Sequence, residues 1–348
     1  MAVTIHDVAQ AAGVSVATVS RVLHGAGTVN EQMCMRVRAA VRELGYVPNP
    51  VAQSLKQQCS RMIGITASDL SVAFFPEVVN GVEKAFSPKG YATIVSSTHD
   101  LPDNENTILQ RMLARKVDAL LVNSTGQNED MLEKAAQAGT PVVFYDRRPR
   151  KPLFPAVYMD KSESMYMALD HLTGLGHKRI MLATGARMLT SNYDRYMGFQ
   201  RFIFERGMDP ANFVFRFGDF SYEHGGAVVK NILEMDEKVR PSAVITGSIV
   251  IAAGILAYCK DHGVSVPGDL ALVSSGDFNY SSVMDFKLTY LDDRTQALSE
   301  NAVRLIEDCL DGKKELTQDS SEMLKPVLHI GDSSGAGPEM RGMVIEGE

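Results

Sequence analysis

From Met62 onward, short apolar β-rich runs alternate with stretches of helical spacing: MIGITAS and then 76–88, YATIVSS and then 103–115, VDALLVN and then 129–138, PVVFYD, and AVYMD. No other feature constrains the fold so strongly. A continuous apolar run followed by an amphipathic helix marks a strand buried on both faces and its crossover, and repeating that unit builds a parallel sheet covered by helices on both sides. The rhythm restarts with a helix at 162–175, RIMLATG, a helix at 193–206, SAVITG, a helix at 249–262, LALVSS, and LTYLD before a last helix at 295–310. Two similar α/β halves imply a cleft between them, and open α/β sheets bind ligands beyond the carboxyl ends of their strands.

The residues before this body follow a different logic. Ile5, Val8, Ala9 and Ala12 fall at helical spacing, with Thr4 and Asp7 placed as a capping box. After a turn at Gly13, Ser15 is a suitable N-cap for a second helix running to about Leu23, with Val19 and Val22 facing inward and Val16, Ala17, Ser20 and Arg21 outward. A third helix is capped by Asn30, buries Met33, Val37, Ala40, Val41 and Leu44, and stops at Gly45 with Pro48 beyond. Two short helices around a glycine turn form a helix-turn-helix, whose second helix enters a DNA major groove. In that reading Ser15, Thr18 and Ser20 donate to phosphates and Arg21 reaches a guanine edge. The alternative is an unrelated three-helix bundle in which the serines merely cap. Charge favours DNA: residues 1–61 carry a net +3 and the remainder −10, within an overall −7. Next, in YVPNPVAQSLKQQ, Asn49 is an N-cap and Val51, Ala52 and Leu55 share a face, a helix too short to be stable alone that can fold on its target.

The chain shows few signs of catalysis. No GxGxxG or GxxxxGK[ST] follows a strand and opens a helix, no serine sits in a GxSxG elbow, and the histidines form no HExxH pair. His171 and His177, in HLTGLGH, read as helix-end caps. Cys34, Cys59, Cys259 and Cys309 are too dispersed for a zinc site or a disulfide framework. The opening MAVTIHDVAQ has no apolar h-region, and no stretch approaches the roughly 18 apolar residues of a membrane span. These features lead us to expect a cytoplasmic protein that is not an enzyme and needs neither cofactor nor metal. The strand ends carry polar and aromatic residues instead: Phe74, Phe75, Asp100, Ser124, Asp146, Arg147, Arg195, Phe220, Ser248 and Asp277. Arginine and carboxylate on facing walls with an aromatic platform can grip a hydroxyl-rich or anionic small molecule.

The segments TIHDVAQAAGVSVATVSRVLHG, VNEQMCMRVRAAVRELGYVPNPVAQSL, MIGIT and HLTGLGHKRIMLATG resemble the LacI family of transcriptional repressors, over roughly residues 3–331. The resemblance implies a three-helix helix-turn-helix head (1–46), a hinge helix and linker (47–60), and a two-lobed periplasmic-binding-protein-like α/β body (61–331). It divides that body into an N-lobe of about 61–160 plus 290–318 and a C-lobe of about 161–289 plus 319–331, leaving 332–348 as a polar tail. By position it makes Val16 and Ala17 specificity residues, Arg21 a base reader and Ser20 a phosphate contact, with Thr4, His24, Asn49, Ala52 and Lys56 also at the DNA and Leu55 wedged into a base step. Arg195 and Asp277 become effector contacts.

Ser248-Ile249 departs from the family's usual Asn-Asp at a sugar-contacting turn, which speaks against an ordinary neutral sugar. HDLPDNEN, TGSIVIAAG and SGDFN look closest to the fructose repressor branch, where Arg147 and Arg195 would serve a phosphate, whereas Phe75 and Phe220 match positions where purine repressors stack a base. A sugar or sugar phosphate is the expected effector, with a purine as the alternative. The tail lacks heptads for a tetramerising zipper, so a homodimer on a palindromic operator is expected. A solute-binding protein would share the body without the DNA head.

Overall fold

The computed structural model describes residues 3–24, 29–46, 59–278, 286–312 and 317–347. The chain divides into two compact units, Met1–Ser60 and Arg61–Glu348.

In the first unit, α1 (Ile5–Ala12) begins with the expected capping box: the Thr4 N–H donates to Asp7 Oδ2 at 2.7 Å and the Asp7 N–H to Thr4 Oγ1 at 3.4 Å. It ends at Gly13, whose φ of 63° is left-handed and costs glycine nothing. Then follow α2 (Val16–His24) and α3 (Glu31–Glu43), the latter capped by Asn30 Oδ1 accepting from the Gln32 N–H at 2.9 Å. Val8, Ala9, Ala12, Val19, Val37 and Ala40 form the core. Met33, expected inside, is 39% exposed, because so small a core does not reach the first turn of α3. The hinge segment, with Asn49, Ala52, Leu55 and Lys56, lies outside the described residues.

The second unit has two lobes. The N-lobe sheet runs β11-β5-β4-β3-β1-β2, all parallel, from β1 (Met62–Ala67), β2 (Ala92–Ser97), β3 (Ala119–Val122), β4 (Val142–Tyr145), β5 (Ala156–Met159) and β11 (Glu322–Leu324). Its helices are α4 (Phe74–Phe86), α5 (Pro102–Ala114), α6 (Glu129–Gln137) and α11 (Thr295–Leu310). The C-lobe sheet runs β13-β12-β10-β9-β8-β6-β7, from β6 (Ile180–Thr184), β7 (Phe213–Phe217), β8 (Ala243–Thr246), β9 (Ala271–Ser275), β10 (Thr289–Asp292), β12 (Val327–His329) and β13 (Val344–Glu346); only β12 and β13 enter antiparallel. Its helices are α7 (Lys161–Gly174), α8 (Thr190–Glu205), α9 (Tyr222–Glu234) and α10 (Ile249–Asp261). Strands such as β3, β4, β6, β8 and β9 are buried throughout, as their largely apolar runs predict.

Three expectations need correction. Strand β10 belongs to the C-lobe and β11 to the N-lobe, so the later crossings fall after Asp292 and after Leu324 rather than near 290 and 318. Pairing decides these boundaries: β10 lies parallel to β9, and β11 to β5, which is distant in sequence.

The supposed polar tail is structural. The Ser333 hydroxyl donates to the Leu272 carbonyl at 2.7 Å and accepts the Thr289 N–H at 2.8 Å, Ala336 joins the C-lobe core, and β13 pairs with β12. Its serines satisfy buried backbone groups that would otherwise be orphaned. His171 is likewise no simple cap. It is buried, with Nε2 2.9 Å from Ser334 Oγ, while His177 Nδ1 meets Ser242 Oγ at 2.9 Å.

One glycine fixes the C-lobe packing. A Cβ on Gly198 in α8 would lie 2.1 Å from the Ser162 carbonyl oxygen in α7, so the two helices approach closely only because that atom is missing.

Candidate functional site

On the head, Ser15 caps α2: its Oγ accepts the Thr18 N–H at 3.2 Å and lies 2.9 Å from Thr18 Oγ1. The two hydroxyls share one hydrogen bond and so stand less clear of the helix than expected, while one hydroxyl proton stays available to an outside acceptor. Val16 is half-buried and packs on the head core, again less outward than expected, while Ala17 and Arg21 are exposed and Ser20 is half-buried. Thr4 is exposed at the start of α1, and its bond holds the Asp7 carboxyl below the usual carboxylate range. His24 is the last residue of α2.

Between the lobes of the body lies a cleft of about 630 Å³, lined by both lobes and by the crossing segments. Phe74, Phe75, Asp100, Asp146, Arg147, Arg195, Phe220, Ser248 and Asp277 all line it. Ser124 does not. It is buried behind Arg147, with its carbonyl accepting from Arg147 Nη1 at 3.3 Å and its hydroxyl accepting the Gly126 N–H at 2.9 Å.

The N-lobe wall is built from strand ends. Arg147, following β4, is 3% exposed and grips Asp100 with both terminal nitrogens, at 2.6 and 3.0 Å. Burial opposes its charge, but Asp100 more than compensates, so the guanidinium sits above its usual range. Arg147 thus turns to Asp100 rather than to its chain neighbour Asp146. Asp146, at a left-handed φ of 61°, instead faces Lys161 Nζ at 3.3 Å and Asn123 Nδ2 at 3.2 Å. Burial raises its carboxyl, yet Lys161, Arg147 and Arg195 outweigh that and hold it below the usual range. Strained backbone of this kind persists where surrounding contacts enforce it. The rings of Phe74 and Phe75 meet edge to face at 5.0 Å.

On the C-lobe wall, Arg195 in α8 is 4% exposed and donates through Nη1 to Asn192 Oδ1 at 3.1 Å, while its Nε is buried without a partner. Burial pulls this guanidinium below the usual arginine range, with Asp146 and Asp293 opposing. Phe220 packs over Gly185, where a Cβ would come within 2.6 Å of the ring. Ser248 caps α10 by accepting the Ile251 N–H at 3.4 Å. Asp277 lies past β9, its Oδ1 accepting the Phe278 N–H at 2.8 Å.

Sequence reasoning missed Lys161, Asp293, Phe278 and Tyr290, which also line the cleft. Lys161 is the clearest omission, being buried and placed 3.3 Å from both Asp146 and Asp293. A signal for it existed: a cation at the first position of a helix opposes the macrodipole and requires another reason to be there.

A helix-turn-helix head followed in the same chain by a two-lobed α/β body with an interlobe cleft defines a class: DNA-binding transcriptional regulators on a periplasmic-binding-protein-like core. The comparisons agree, since residues 4–49 match the bacterial regulatory proteins of the lacI family and residues 169–334 the periplasmic binding protein-like domain. Catabolite control protein A of Priestia megaterium is 30% identical over 88% of this chain and 92% of its own length. The HTH-type transcriptional repressor PurR of Klebsiella pneumoniae is 30% identical over 90% and 92%. The lac repressor dimer bound to operator and the anti-inducer ONPF is 26% identical, with a TM-score of 0.82 over 96% of this chain and 99% of that one. The chain belongs to the LacI family. Relatives as different as catabolite control protein A and PurR match it, so the fructose repressor branch is not singled out. No helix among the described residues is long and apolar enough to cross a membrane.

Proposed function

We propose that the protein is a cytoplasmic, homodimeric repressor whose affinity for a palindromic operator is set by a small hydroxyl-rich molecule, a sugar in the first instance, held in the interlobe cleft. The observation that carries this reading is the cleft itself, which mixes fixed donors, fixed acceptors and aromatic faces from both lobes. Arg195 offers a buried Nε with no protein partner, carboxylates accept hydroxyl protons, and Phe74 and Phe220 offer flat apolar faces. Ligand in such a site contacts both lobes and so favours one closure state over another.

At the head, exposed Ala17 and Arg21 are assigned to the major groove, Arg21 to a guanine edge and Ala17 to a thymine methyl. Ser20, Thr4, His24 and the hinge residues Asn49, Ala52, Leu55 and Lys56 are assigned to flanking contacts on the basis of family position. The Arg147–Arg195 phosphate clamp is not part of this reading, because both terminal nitrogens of Arg147 are already held by Asp100.

A purine is the second reading, favoured by Phe74 and Phe220 arriving from opposite lobes. The test selects a palindromic operator from random duplexes, then titrates it with the protein in the presence of neutral hexoses, hexose phosphates and purine bases. A change in operator affinity with a hexose supports the proposal. A response confined to purines replaces the effector class, and no selected duplex overturns the DNA function.

A further inference from the structure

Charge around the cleft narrows the ligand beyond the sugar reading, on which this step rests. Among the described residues, eight carboxylates and three permanent cations, Arg147, Lys161 and Arg195, line the cavity, an excess of five negative charges. Arg147 is paired with Asp100, and Lys161 with Asp146 and Asp293; Arg195 makes no ion pair among the described residues, although Asp146 and Asp293 act on its charge. Asp69 and Glu77 on the N-lobe wall and Asp219 on the C-lobe wall make no ion pair among the described residues. Asp69 Oδ1 accepts only the Ser71 N–H, at 2.8 Å, and Asp219 Oδ1 only the Ser221 hydroxyl, at 2.6 Å.

An anionic ligand would enter this surplus with Arg195 alone to meet it, a guanidinium already faced by Asp146 and Asp293. A neutral sugar would satisfy hydroxyl-to-carboxylate bonds but leave the surplus in place. We infer that the effector is an amino sugar, a hydroxyl-rich ring with a protonated amine, whose ammonium sits among Asp69, Glu77 and Asp219 while a ring hydroxyl accepts from the buried, unpartnered Nε of Arg195. The aromatic lining suits both parts of that molecule, since Phe74, Phe220, Phe278 and Tyr290 can cover an apolar sugar face and attract a nearby cation.

The test is calorimetric titration of the full chain with three matched series: glucose, galactose and mannose, their 2-amino-2-deoxy forms, and their 6-phosphates. In at least one series the amino form should bind at least about fivefold tighter than its neutral parent and its phosphate, as expected for a cation near several unpaired carboxylates of which Glu77 and Asp219 are exposed and Asp69 half-buried. The gap should shrink as salt rises. The Asp69→Asn and Asp219→Asn variants keep the Oδ1 acceptor used by their own loops. Together they should lower the amino form's affinity by a larger factor than the parent's, closing the gap between the two. Equal or tighter binding of the neutral or phosphorylated form overturns the amino-sugar assignment and leaves the sugar reading standing. Amine preference that survives both substitutions overturns the placement of the ammonium. Failure of every compound to bind removes the sugar reading and this inference together.

Discussion

Lys161 links a cleft wall to the stability of the body. Its ammonium lies 3.3 Å from Asp146 and from Asp293, so that it ties the first crossing between the lobes, where Lys161 stands, to the second, where Asp293 stands. Lys161→Ala would leave two carboxylates facing each other in a half-buried site, and should destabilise the body by about 2–3 kcal/mol, measured by urea melting; the figure stays below that for a fully buried pair because Asp293 is 28% exposed. A second prediction concerns pH. Burial, with His177 nearby, holds the His171 imidazole below its usual value of 6.5. The fold therefore prefers the neutral ring, so this contribution is present above pH 6.5 and is lost as pH falls through the lowered folded value. Melting temperature should drop between pH 7.5 and 5.5, and drop less in His171→Gln. An equal drop in both proteins would contradict that assignment. Neither role was legible in sequence, because each depends on partners more than a hundred residues away: Asp293 for Lys161, Ser334 for His171. Arg195 and Phe220 were legible as cleft residues through family position.

Elements were readable wherever burial made them uniform. Strands such as ALLV and VVFY are runs of aliphatic and aromatic residues buried throughout, and the head declared itself through Thr4, Gly13, Ser15 and Asn30. Strand β7 and the helix after it, α9, escaped because β7 is an edge strand, only its first residue buried, and FVFRF lacks the plain run of its neighbours. Strands β11 and β13 are three residues each, and in β13 all three are exposed; their existence follows from pairing with β5 and β12, which no local pattern announces. The tail supplies an element-scale prediction. Deleting residues 332–348 removes the bonds of Ser333 and Ser334 to the sheet and should abolish cooperative unfolding of the body, whereas stopping after residue 338 removes β13 and should cost far less. Circular dichroism melts of the two truncations separate a structural tail from a dispensable one.

At the scale of the whole molecule, the proposed function requires two closure states of the body with different consequences for DNA. One contact outside the cleft bears on that equilibrium: Arg148 of the N-lobe grips Asp194 at the start of α8 in the C-lobe, at 2.9 and 2.7 Å. Because the pair is partly exposed, Arg148→Ala should weaken effector binding by only about two- to fivefold, read by calorimetry, through loss of the closed population. The central claim is that cleft and operator are coupled. Coupling between two sites is reciprocal and is typically worth about 1–3 kcal/mol, or about 5- to 150-fold. The direct measurement is a closed cycle on the selected operator: operator affinity with and without saturating effector, and effector affinity with and without operator. Equal factors well above one, in the same direction on both sides of the cycle, are the predicted result. An effector that fills the cleft and leaves operator affinity unchanged would contradict it.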